Sequence, residues 1–266
     1  MTFTGAIGAA SMFPLRAIIR VCVALRIHPN VLTLVGVIIN FAAAWQFAMG
    51  RFVTAGFIML VANIFDFIDG KVAVAAHLSS RFGGFWDSVM DRFSDLSLFI
   101  GVIYLYAQLG RTDYVMIAAF AMMFSVMTSY TRARAESMID KCKVGFMERP
   151  ERIVLVMIGA FTNRMAAILW VILVLSVVTV LDRIYFTWRA LKAQEASAAW
   201  LGQSVLTLPL RAVWHALYWT FGRATWQYDL MVIAILAFVW IVPPGWISDP
   251  TASGPGLIGI VLEQVR

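Results

Sequence analysis

Asp66-Phe67-Ile68-Asp69-Gly70-Lys71-Val72-Ala73, followed after nine residues by Gly83-Gly84-Phe85-Trp86-Asp87-Ser88-Val89-Met90-Asp91, sets four carboxylates into an otherwise apolar stretch. On a helix, Asp66 and Asp69 share one face, and Asp87, Asp91 and Asp95, four apart, share another. Gly70, Gly83 and Gly84 allow close backbone approach. Charge inside a bilayer segment costs a few kcal/mol per residue, so such residues are by default functional. Gathered in one cavity, the carboxylates repel one another and favour protonation. A divalent cation relieves this, and an oxygen-only donor set favours Mg2+, Mn2+ or Ca2+. The plainer alternative is pairing with Lys71, Arg81 or Arg92, and it suits Asp95 best, one turn beyond the others.

The rest of the chain explains why these charges stand out. Of its 266 residues, 61% are hydrophobic and 14% charged, where a soluble domain carries about a quarter charged. With a mean hydropathy of +0.82, the apolar excess cannot fit one globular core, so the lipid bilayer is the expected solvent. The net charge is +6, but no basic run with interleaved aromatics suggests a nucleic-acid partner. Cys22 and Cys142 have no metal-ligand spacing and read as two free thiols. The first residues do not read as a cleaved signal peptide.

Apolar runs predict an all-α integral membrane protein with six transmembrane helices at about 31–50, 52–76, 83–109, 113–138, 150–163 and 164–190. Before the first, residues 14–26 carry Arg16 and Arg20 on one face, which fits an interfacial amphipathic helix, broken at His28-Pro29-Asn30. Residues 1–192 are expected to form one membrane domain. Basic residues crowd one side: Arg16, Arg20 and Arg26, then Lys71 and Arg81, then Arg132 through Arg152, then Arg183, Arg189 and Lys192. Arg51, Arg111 and Arg164 stand on the other. The first side is therefore expected to be cytoplasmic, in the inner membrane, with the aspartates facing the cytoplasm. Residues 193–266 form a C-terminal extension, aromatic-rich at Trp214, Tyr218, Trp219, Phe221 and Trp226. Its apolar run 230–242 stops at Pro243-Pro244-Gly245, and a re-entrant segment competes with a seventh span.

The pattern Asp66-x-x-Asp69-Gly70-x-x-Ala73 … Gly83-x-x-x-Asp87-x-x-x-Asp91 closely resembles the signature of the CDP-alcohol phosphotransferase family. The resemblance covers about residues 14–192 and implies a metal-dependent membrane transferase of phospholipid biosynthesis, with two Mg2+ or Mn2+ ions. By that resemblance Asp66, Asp69 and Asp87 hold the metals that bind the CDP pyrophosphate. Asp91 borders the metals and is the general base. Gly70, Ala73 and Gly83 let the cytidine nucleotide lie against the helices. The family usually has arginine after the motif alanine, and here that residue is Val74; Lys71 or Arg81 would have to serve the phosphate instead. A homodimer is also implied.

Tyr130-Thr131-Arg132, Glu148-Arg149-Pro150-Glu151-Arg152 and Thr179-x-x-Asp182-Arg183 resemble the phosphatidylinositol-phosphate synthase branch. There, arginines matching Arg132, Arg152 and Arg183 bind the phosphate of inositol 1-phosphate, a role suited to guanidinium forks. The alternative for such residues is a positive-inside anchor, which Lys141 and Lys143 fit better. The resemblance thus implies CDP-diacylglycerol as donor and a phosphorylated polyol as acceptor. Glycerol 3-phosphate, serine, or a CDP-inositol donor remain alternatives on the same fold. A transporter using the buried acids as an ion path is a more distant one, and gives the motif's small residues no task.

Overall fold

The computed structural model describes residues 15–198, 226–243 and 245–251. All regular structure among them is helical: α1 (15–24), α2 (Pro29–Ala48), α3 (Phe52–Ala75), α4 (Arg81–Gln108), α5 (Thr112–Glu136), α6 (Arg149–Thr162), α7 (Met165–Ala198) and α8 (Trp226–Ile241). Four helices, α2, α3, α5 and residues Met165–Gln194 of α7, are long and apolar enough to cross a membrane. The α4 helix has 28 residues but opens with the aspartate-rich half, and α6 has only 14. The expected helix starts agree with the observed ones to within a few residues. The helix that carries the last expected span continues past 190 to Ala198. The run near 230–242 is helical, whereas Trp214 to Phe221 lie outside the described residues.

The chain gathers into two compact units, one up to Leu105 and one from Tyr106. In the first, α2 starts at Pro29, the position where a missing N–H costs nothing, and the His28 Nδ1 accepts the Asn30 N–H at 3.2 Å. It turns into α3 at Gly50, whose φ of +71° suits glycine; the Arg51 N–H closes on the Gln46 carbonyl at 2.9 Å. The two helices pack through small residues, Gly36 and Ala43 against Ala55 and Ala62 among them, all buried. At Gly101 the α4 backbone touches α2 so closely that a Cβ there would lie 2.2 Å from the Ala44 carbonyl oxygen. Cys22 of α1 is buried with Leu32, Ile68 and Val72.

In the second unit α7 packs along α5 and α6. The α6–α7 corner closes at Asn163 in the left-handed region, φ +56°. The 137–148 connection folds onto α7. Gly145 (φ +90°) sits against Thr179, whose Oγ1 accepts the Met147 N–H at 3.0 Å. Cys142 is wholly buried there beside Ala135, Ile139 and Val144. The far end of α8 is tied down by backbone carbonyls. Arg164 donates to Val242 and Asn163 to Thr251, both at 2.8 Å, while Arg111 and Tyr114 donate to Ser248 and Ile247.

Candidate active site

Two clusters carry chemistry, one in each unit. In the first, α3 supplies Asp66 and Asp69 and α4 supplies Asp87, and one carboxylate oxygen from each lies within 4.8 Å of the others. Asp69 is buried, and its Oδ2 accepts the Thr33 hydroxyl at 2.5 Å. Three converging carboxylate oxygens make a hard donor set that fits a divalent cation. Asp91 lies one turn beyond Asp87 on α4, outside that triad, with its Oδ2 3.5 Å from the Arg92 guanidinium. A cavity of about 250 Å3 opens beside the triad, lined by Asp69, Gly70, Ala73, Gly83 and Asp87, with Asn30 and Thr33 from α2. A Cβ at Gly70 would meet nothing within 4 Å, so its bare backbone faces open space. At Gly83 the N–H donates to Ser80 Oγ at 2.9 Å. Val74, where the family places arginine, is exposed.

In the second unit all three arginines singled out from the sequence come together. Arg132 extends from α5 and donates to Glu148 at 2.8 Å and to Glu136 at 3.2 Å. Arg183, buried on α7, donates to the Val144 carbonyl at 3.0 Å, to Glu148 at 3.4 Å, and to the Thr128 carbonyl. Arg152, buried on α6, donates to Thr128 Oγ1 at 3.0 Å. Thr128 therefore joins two of the guanidinium groups and Glu148 joins two. Burying two like charges, Arg152 and Arg183, beside the half-buried Arg132 is costly without such partners.

Thr33, Thr128 and Glu148 were not among the expected site residues. Thr128 precedes Arg132 by one helical turn, and Glu148 lies in the quoted Glu-Arg-Pro-Glu-Arg run, so both had a local signal. Thr33 had none, because its partner is 36 residues away.

A family model described as CDP-alcohol phosphatidyltransferase matches residues 26–181. The chain belongs to this family. Both clusters of this phosphatidyltransferase fall inside the match, apart from Arg183, two residues beyond it. Among its relatives, archaetidylinositol phosphate synthase of Pyrococcus horikoshii is 34% identical over 65% of this chain and 89% of the relative. Phosphatidylinositol phosphate synthase of Mycobacterium tuberculosis is 30% identical over 60% of this chain and 79% of its own. Crystal structures of that mycobacterial enzyme are also similar. The form with CDP-DAG bound has a TM-score of 0.62 at 28% identity, covering 65% of this chain and 93% of that one. The complex with manganese and citrate has a TM-score of 0.62 at 29% identity, covering 65% and 88%. This chain is accordingly a phosphatidyltransferase of phospholipid biosynthesis, and its three converging aspartates fit a divalent metal.

Proposed function

We propose that the enzyme transfers the phosphatidyl group of CDP-diacylglycerol to inositol 1-phosphate, giving phosphatidylinositol phosphate and CMP. The observation that carries this reading is the meeting of Arg132, Arg152 and Arg183 around Thr128 and Glu148. Such a set of forks suits a phosphate dianion better than an uncharged alcohol or an amino acid. The names of the two relatives favour the same acceptor class, and the CDP-DAG complex of the mycobacterial structure favours the donor.

In this reading Asp66, Asp69 and Asp87 hold two divalent ions, with Asp91 bordering them. When bound, the ions neutralise the pyrophosphate and stabilise the leaving CMP. Gly70, Ala73 and Gly83 leave room for the nucleotide along α3 and α4. Asp91 takes the proton of the acceptor hydroxyl, whose oxygen forms a bond to the phosphorus carrying diacylglycerol. The bond from that phosphorus to the oxygen bridging to CMP breaks, and CMP departs with that oxygen. Arg132, Arg152 and Arg183 hold the acceptor's own phosphate, which is not consumed. Positioning and charge neutralisation supply most of the acceleration.

The wider architecture in this proposal is one membrane domain over 1–192. It has six crossings, α1 in the interface, the aspartates on the cytoplasmic side of the inner membrane, and a homodimeric assembly.

The test is CMP release from CDP-diacylglycerol by purified protein with Mg2+, against a panel of inositol 1-phosphate, glycerol 3-phosphate, serine and free inositol. Inositol 1-phosphate is expected to be the preferred acceptor, with Asp91→Asn slower by about a hundredfold or more, the scale of a lost general base. Activity with serine or free inositol alone would discard the arginine assignment while leaving the aspartate roles intact.

A further inference from the structure

We propose that the 226–251 segment, which lies beyond the residues matched by the family model, braces the arginine pocket, and that Tyr228 is the positioning residue through which it acts. This rests on the reading of Arg132, Arg152 and Arg183 as the acceptor-phosphate site. The near end of α8 touches the pocket's surroundings at two points, the 137–148 loop and the first turn of α6. The Tyr228 hydroxyl is hydrogen-bonded to Glu151 Oε1 at 3.2 Å, and its ring lies against Phe146 with centroids 5.2 Å apart.

Those two residues bracket Glu148, the carboxylate shared by Arg132 and Arg183. Backbone bonds link the stretch: the Glu148 N–H donates to Phe146 at 3.0 Å, and the Arg152 N–H donates to Glu148 at 3.2 Å. A shift of Phe146 or Glu151 therefore moves both Glu148 and Arg152.

Two cavities lie along the flanks of α8, although Val239 on it is wholly buried. A cavity of about 410 Å3 separates it from α6, between Val154 and Ile158 on one side and Val232 and Leu236 on the other. A second of about 470 Å3 separates it from α7, between Trp170 and Val174 and Ala234 and Phe238. Polar bonds tie the segment at both ends, from Arg164, Asn163, Arg111 and Tyr114 at one and from Tyr228 at the other.

Tyr228→Phe and Tyr228→Ala in the full chain test this. The acceptor KM is measured by CMP release with varied inositol 1-phosphate. The rate of Cys142 alkylation by N-ethylmaleimide reports the loop without any need for turnover, since Cys142 is wholly buried under it. Cys22, buried in the other unit, is the internal control.

Tyr228→Ala is expected to raise the acceptor KM about fivefold or more, the loss of roughly one net hydrogen bond plus a ring contact. Its kcat and donor KM should stay within about twofold of the parent, the split expected of lost acceptor binding. Cys142 should react several times faster, and Tyr228→Phe, which keeps the ring, should fall between.

An unchanged acceptor KM in both variants overturns the proposal. So does a Tyr228→Ala loss spread over kcat and donor KM together with faster Cys22 labelling, which marks a general defect. If the parent enzyme accepts no phosphorylated polyol, the acceptor reading fails separately, and the Cys142 rate alone decides whether the segment braces the loop.

Discussion

Thr33 donates its hydroxyl to Asp69 Oδ2 at 2.5 Å and also lies 3.2 Å from the Pro29 carbonyl oxygen, one turn back on α2. Both Thr33 and Asp69 are buried, so this bond fixes the rotamer of a carboxylate that has little water to orient it. Partners of this kind set the affinity of a metal site nearly as much as its ligands do. Thr33→Val keeps the shape and removes the donor. Mn2+ binding to the purified protein, followed by EPR, is expected to weaken about tenfold, as is usual when such a partner is lost. Unchanged binding would reduce Thr33 to a packing residue. The aspartates were legible in the sequence because their spacing is local and charge is rare in apolar sequence. Thr33 was not, since a buried threonine on an apolar helix carries no pattern of its own. Arg132, Arg152 and Arg183 were legible as residue types and as helix ends. Their sharing of Thr128 and Glu148 arises only when α5, α6 and α7 pack.

Glycines separate packing from function at the scale of the helix. A Cβ at Gly101 would fall 2.2 Å from the α2 carbonyl of Ala44, and backbone cannot swing aside as a flexible side chain can. Gly70 meets nothing within 4 Å and lines the cavity beside the aspartates. Gly101→Ala is therefore expected to lower stability by about 1–3 kcal/mol, the usual penalty of overpacking. Gly70→Ala should leave stability equal or slightly higher, because alanine is the better helix former by about 0.5–1 kcal/mol. It should nonetheless raise the KM for CDP-diacylglycerol. Thermal unfolding in detergent and steady-state kinetics on both variants check this, and a Gly70→Ala enzyme with an unaltered donor KM would remove Gly70 from the nucleotide site. Helix starts were readable at His28-Pro29 and near Gly50, where proline and a positive-φ glycine dictate the break. The end of α7 was not. Arg189 and Lys192 read as the edge of a span, yet no glycine or proline occurs between Lys192 and Ala198, and Lys192 lies over the Trp188 ring one turn back at 5.0 Å, within the continuing helix.

The orientation proposed for the whole molecule rests on charge distribution, and in the second unit the bias has one sign. Around the C-terminal end of α5 stand Arg132, Arg134, Lys141, Lys143, Arg149 and Arg152. At its N-terminal end Arg111 is paired with Asp113 at 2.7 Å and bound to the Ser248 carbonyl, and Arg164 donates to the Val242 carbonyl. Arg111 and Arg164 are committed to internal partners, whereas the other end holds six cations against four acids, Glu136, Asp140, Glu148 and Glu151. That excess is the kind retained on the cytoplasmic side. The α5 helix has 25 residues, about 37 Å at 1.5 Å per residue, enough to cross the hydrocarbon. Leu109→Cys and Lys141→Cys, at exposed positions at its two ends, should then react with a membrane-impermeant maleimide from opposite faces. Lys141→Cys should label only in inverted vesicles and Leu109→Cys only in right-side-out ones. The native Cys22 and Cys142 give little background because both are buried. Labelling with the faces exchanged would invert the proposed orientation and put the arginine cluster out of reach of a cytoplasmic polyol phosphate. Labelling of both positions from one face would mean that α5 does not cross at all.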